Sequence, residues 1–188
     1  MRVEPQALAG LALLHWDVAQ DVRGSFARTF CSADLAAAGM DFTPVQANLS
    51  RNPASRTLRG LHFQAAPHGE PKIVCCLRGR IWDVAVDLRP DSPTFGQWRG
   101  FELSPQAACA VHIPQGFAQG FLTLEPDSEV FYLMGAAYRP DAAAGIRWDD
   151  PDLAIDWPER PAILSPKDAA LPLVAELRRR SEAAGECG

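Results

Sequence analysis

The stretch that most restricts how this chain can fold is KIVCCLRGRIWDVAVDLR, residues 72–89, where β-branched and aromatic residues alternate around Arg78 and Gly79. A repeat of two residues is the signature of a strand, and a turn pair between two such runs predicts a hairpin of antiparallel strands. On the first strand Lys72, Val74 and Cys76 share a face. On the second, Asp83, Ala85 and Asp87 oppose Trp82, Val84 and Val86. Further short strands are predicted at 43–48, 57–64, 96–103, 108–113, 120–124 and 129–136, separated by turn residues. Many short strands at such spacing predict an all-β sandwich or barrel.

Helices are few. Ser32 is placed to cap a short one ending near Gly39, and 171–184 reads as a terminal helix with basic residues late in it. Sixteen prolines and fourteen glycines are spread through the turns, so no linker, repeat or low-complexity segment divides the chain. At 188 residues, 47% of them hydrophobic, the sequence predicts a single domain over 1–188.

Charge and composition narrow the function classes. A net charge of -5 argues against a nucleic-acid surface, because a phosphate backbone demands a broad basic patch. Any anionic ligand must therefore meet a local cluster of cations. No apolar run reaches the roughly 18 residues that a spanning helix needs, and the N-terminus has no secretory pattern, so a soluble cytoplasmic protein is expected. Cys31, Cys75, Cys76, Cys109 and Cys187 form no ligand spacing and are expected to be reduced structural thiols.

The 18 basic residues divide into sixteen arginines and two lysines, Lys72 and Lys167. In such a chain a lysine marks either a place that needs a compact, tunable ammonium or a chance survivor. Tyrosine is as sparse, with only Tyr132 and Tyr138. His62 lies in TLRGLHFQ, where Leu58, Gly60 and His62 face one way. A lone histidine in a strand is more often structural than catalytic. If the barrel interior faces it, however, the next strand brings in Lys72 and a later one Tyr132. A base, an ammonium and a phenol in one water-poor cavity are what proton abstraction beside a carbonyl requires, which is racemase or epimerase chemistry. The histidine would also need a carboxylate to fix its tautomer.

RGLHFQ, GRIWDVAVDLRPDSPTFGQW, IPQGFAQGF, the Tyr132 strand, GIRWDDPDLAIDWP and LSPKDAALP occur in this order. Together they resemble the signature blocks of the dTDP-4-dehydrorhamnose 3,5-epimerase family, over a core of about 21–172. The resemblance implies a cupin-type jelly-roll β-barrel with a few short helices at the ends, acting without cofactor or metal as a homodimer on a nucleotide sugar. It further implies that His62 is the proton acceptor, Tyr132 the donor, Asp168 the carboxylate orienting the histidine and Lys72 the enolate-stabilising ammonium. By the same resemblance Arg23 and Arg59 contact the pyrophosphate, Gln46 and Asn48 the nucleotide and sugar, and Lys167 the ligand, while Tyr138 stacks on the base.

The chain departs from the family pattern at Arg28, where a base-contacting Glu is usual, and at Gln119, where the block normally reads IPxGFAHGF. Ala142 and Ala143 stand where an acidic residue usually follows the stacking tyrosine. A guanidinium cannot accept from a pyrimidine N–H, so Arg28 bears on the choice of base. Gln119 can still donate a hydrogen bond but cannot carry a proton. Cupins often bind metal through two or three histidines and a glutamate, but the HxH spacing is absent and only His112 could partner His62. Three rival readings stay open: an epimerase for a CDP- or GDP-linked sugar, a single-centre epimerase, and a non-catalytic sugar-binding cupin.

Overall fold

In a computed structural model the backbone is described for residues 1–185 and side chains through Arg179, so Cys187 lies outside the described residues. Thirteen strands form: β1 (Arg2–Pro5), β2 (Ala12–His15), β3 (Val18–Asp21), β4 (Gly24–Ala27), β5 (Gln46–Asn52), β6 (Leu58–Gln64), β7 (Lys72–Arg78), β8 (Ile81–Asp87), β9 (Trp98–Leu103), β10 (Cys109–Ile113), β11 (Phe117–Thr123), β12 (Ser128–Met134) and β13 (Ala143–Gly145). The helices are α1 (Ser32–Ala37), α2 (Pro166–Ala169) and α3 (Val174–Gly185). One sheet runs β1-β2-β10-β7-β12-β5 and a second β13-β6-β11-β8-β9, with β3-β4 as a separate ribbon. The two large sheets close face to face as a jelly-roll barrel, the all-β class expected.

The predicted 72–89 hairpin is corrected. Both strands form, but β7 pairs with β10 and β12 while β8 pairs with β11 and β9, so the turn at Gly79 carries the chain from one sheet to the other. Gly79 has φ +73, and a Cβ there would run into Ser128, so a glycine lets the arch lie against the β12 entry. Alternation specifies which side chains point inward, not which strand lies alongside. Here the inward set of both strands meets in one core of Val74, Cys76, Ala85, Val111, Phe117, Phe121 and Val130. Cys75, next to Cys76, faces the other way, into a second cluster with Leu35 of α1, Phe42 and Ile73. Burial pushes the Cys75 thiol up to about 12, as befits an inert structural cysteine.

Two helix expectations shift. The first helix begins at Ser32, but its N-cap is Cys31 and no side chain caps it. The terminal helix begins at Val174, whose N–H donates to Asp150 Oδ2 at 2.6 Å. No helix among the described residues is long and apolar enough to cross a membrane.

Candidate active site

Pairing in the first sheet assembles one wall of a cavity. Tyr132 of β12 lies opposite Asn48 of β5 and Val74 of β7, and Met134 lies opposite Gln46 and Lys72. Opposed residues share a face, so Gln46, Asn48, Lys72 and Tyr132 all turn inward. In the second sheet His62 of β6 lies opposite Gln119 of β11. Between the walls is a cavity of about 650 Å3, bordered by these six residues and by Arg59, Glu70, Tyr138, Lys167 and Asp168.

Asp168 reaches His62 through a local device legible in SPKD. Ser165 is the N-cap of α2, its Oγ accepting from Asp168 N at 3.0 Å, and Pro166 occupies the first helical position. Leu58 N donates to Ile163 O, which ties this segment alongside β6. The buried Asp168 then accepts from His62 Nε2 at 2.7 Å and from Gly60 N at 3.3 Å. A carboxylate only accepts, so in the neutral imidazole Nε2 carries the hydrogen and Nδ1 the lone pair, on a side chain that is 46% exposed.

Lys72 is 4% exposed and pairs with Glu70 at 2.9 Å. Burial chiefly, and next the charge of Asp83, raise the Tyr132 phenol above its ordinary value, with Arg59 opposing. Tyr132 therefore holds its proton at neutral pH. Arg59 Nε donates to Asn52 Oδ1 at 2.8 Å, leaving the rest of its guanidinium at the cavity. Gln46 Nε2 donates to Asn48 Oδ1 at 3.0 Å.

Two expected contacts stand apart. Arg23 is 86% exposed at the tip of the β3–β4 ribbon, paired with Asp21, and Arg28 just after it is exposed beside Cys31. Neither borders the cavity of its own chain. His112 lies away from His62 and off the cavity: its Nδ1 meets Gly10 O at 3.0 Å and its ring meets Phe42 edge-on. Among the described residues no three His, Cys, Asp or Glu side chains cluster as a metal site would require.

Sequence reasoning passed over three polar residues. Gln64 is buried and holds residues 137–139: its Nε2 donates to Ala137 O and its Oε1 accepts from Arg139 N, which fixes Tyr138 at the mouth. Glu70 sits in an irregular Pro- and Gly-rich loop with no periodicity to flag it. Asp83 did carry a signal, being a carboxylate on the inward face of an apolar strand. It is fully buried, Gln119 Nε2 donates to its Oδ2 at 2.6 Å, and burial pushes its carboxyl up to about 7.

The sequence model of the dTDP-4-dehydrorhamnose 3,5-epimerase family matches residues 5–176. A protein of that name from Escherichia coli (strain K12) is 41% identical over 95% of this chain and 97% of its own length. A dTDP-4-dehydrorhamnose 3-epimerase from Streptomyces niveus is 37% identical over 95% of this chain and 86% of its own. The crystal structure of dTDP-4-dehydrorhamnose 3,5-epimerase from Bacillus anthracis str. Ames, with TDP and PPi bound, superposes with a TM-score of 0.89. It shares 41% identity over 92% of this chain and 98% of that one.

Proposed function

Because the chain belongs to the dTDP-4-dehydrorhamnose 3,5-epimerase family, we propose that it converts dTDP-4-dehydro-6-deoxy-D-glucose to dTDP-4-dehydro-L-rhamnose, acting as one domain in the cytoplasm. The observation that carries this reading is the His62–Asp168 pair facing Lys72 and Tyr132 across one cavity. The C4 ketone acidifies the C–H bonds at C3 and C5, so no external electron sink is required. His62 Nδ1 removes the proton, while Asp168 stabilises the imidazolium that results. The Lys72 ammonium faces the enolate oxygen in a site where burial strengthens every electrostatic contact. Tyr132, kept neutral by its surroundings, delivers a proton from the opposite face.

Among the described residues Arg59 and Lys167 are the cations bordering the cavity besides Lys72, and Glu70 pairs with Lys72. Among the described residues the β3–β4 ribbon pairs with no other strand, and it exposes Val22 and Phe26 at 105% and 77%. Strand β5 is a free sheet edge, exposes Leu49, and also borders the cavity. An exposed edge beside an unsupported apolar ribbon supports a homodimer in which each ribbon covers the other copy's β5. Arg23 and Arg28 then serve the neighbouring cavity.

Incubation with dTDP- and CDP-linked 4-keto-6-deoxyglucose in D2O, with deuterium located by NMR, tests the reading. Deuterium at C3 and C5 with inversion at both is the expected result for the dTDP sugar. Deuterium at C3 alone would assign the single-centre activity named for the Streptomyces niveus relative, and none would refute the epimerase reading.

A further inference from the structure

Gln119 occupies a cavity position with its two ends in different surroundings. Its nitrogen donates to Asp83 Oδ2 at 2.6 Å beneath the cavity wall. Its oxygen has no hydrogen-bond partner among the described residues. The only polar side-chain atoms there both sealed from solvent and unpartnered are Trp16 Nε1, Trp82 Nε1 and Asp83 Oδ1, so the Gln119 oxygen is one that solvent in the cavity reaches. Asp83 is fixed in turn: it is 0% exposed on β8, flanked in register by Phe101 and Phe121, and reached by the field of Lys72. The Asp83 oxygen that Gln119 Nε2 reaches is an acceptor, so this bond holds the amide with nitrogen inward and oxygen toward the cavity.

We propose that Gln119, held in this orientation by Asp83 as a positioning residue, accepts a hydrogen bond from the C2 hydroxyl of the bound sugar and so selects for sugars hydroxylated at C2. This rests on the nucleotide-sugar reading above. A carbonyl oxygen has nothing to offer the C4 ketone, the ring oxygen, the C6 methyl or the phosphates, none of which donates. The C2 and C3 hydroxyls are the donors left on the ring. C3 is a reacting centre whose hydroxyl changes side during inversion, which leaves C2 as the donor whose place is constant through the reaction. A buried acceptor with a single complementary donor discriminates by what it leaves unpaired when that donor is missing.

The test is a titration series by calorimetry with dTDP-6-deoxy-D-glucose, whose C4 hydroxyl makes it unreactive, and its 2-deoxy and 2-deoxy-2-fluoro forms. Fluorine accepts weakly and never donates, so it separates an acceptor in the protein from a donor. The wild-type protein is expected to bind the hydroxyl form about ten-fold more tightly than the deoxy form, with the fluoro form no better than the deoxy. In Gln119→Met the three affinities converge. In Asp83→Asn the amide is free to turn, so the fluoro penalty shrinks while the hydroxyl form still binds, a change in selectivity that loss of packing alone would not produce. Wild-type protein binding fluoro and hydroxyl forms equally, or Gln119→Met retaining the full discrimination, overturns the proposal while leaving the epimerase reading intact. Failure of all three sugars to bind overturns both, and the wild-type series needs no variant to fold.

Discussion

Tyr132 and His62 border the same cavity in unlike surroundings. The phenol is partly buried and faces the negative field of Asp83, so it keeps its proton, whereas His62 has one nitrogen tied to Asp168 and the other free. Tyr132→Phe keeps the ring and removes only the acid, so inversion is expected to fall by roughly 10²- to 10⁴-fold while exchange of the substrate C–H with solvent persists. His62→Ala is expected to lose both. NMR in D2O reads the two rates separately, and wild-type inversion by the phenylalanine variant would show that another acid acts. Asp83 leads to a prediction about stability. Unfolded, it ionises near 3.8; folded, burial raises it to about 7, so between these values the unfolded chain binds fewer protons and stability falls as pH rises. The ionised, buried carboxylate costs up to about 4 kcal/mol above that window, by the usual conversion of a pKa difference. Asp83→Asn cannot ionise, so its melting temperature relative to wild type should be higher at pH 8 than at pH 4.5. A difference independent of pH would mean that Asp83 does not titrate in this range.

At the scale of elements, β6 and β11 are pressed together where the site is built. Gly60 has φ +112, and a Cβ there would stand 2.6 Å from Gly120 Cα and 2.7 Å from Gln119 O, both backbone atoms that cannot swing away. Gly60→Ala is therefore expected to cost about 2 kcal/mol or more and to displace both His62 and Gln119, lowering the melting temperature and the turnover together. A variant with wild-type stability and activity would mean the strands separate easily here. The core strands were legible because period-two alternation is strong in long runs: 57–64 and 108–113 differ from β6 and β10 by a single residue at the N-terminal end. β1 to β4 and β13 escaped notice, since three or four residues hold too few alternations to stand out. The sheet assignment of β7 and β8 was not legible either, because inward-facing residues look alike whether the neighbour is a hairpin mate or an arch. His62, Lys72 and Tyr132 were found as a set because each sits on the inward face of a clear strand. Gln64 and Glu70 gave no comparable signal, their roles arising from contacts with loops.

At the scale of the whole molecule, a single copy looks unfinished in two places that complete each other. The ribbon exposes Val22 and Phe26, and Arg23 and Arg28 in and just after it border no cavity of their own chain, while β5 beside the cavity is a sheet edge among the described residues. If ribbons are exchanged, the lesions of two different variants fall in predictable places. A copy carrying His62→Ala has a dead cavity but an intact ribbon. One carrying Arg23→Ala with Arg28→Ala has an intact base and acid but supplies a defective ribbon. Mixed dimers place the good ribbon over the good cavity, so about half the wild-type activity should return at low substrate concentration, where loss of phosphate contacts is most visible. Ribbons that serve their own cavity would return none, because each chain would then hold a defect of its own. Light scattering of the same preparations checks the premise: a monomer mass at micromolar concentration would leave Arg23 and Arg28 with no cavity to serve.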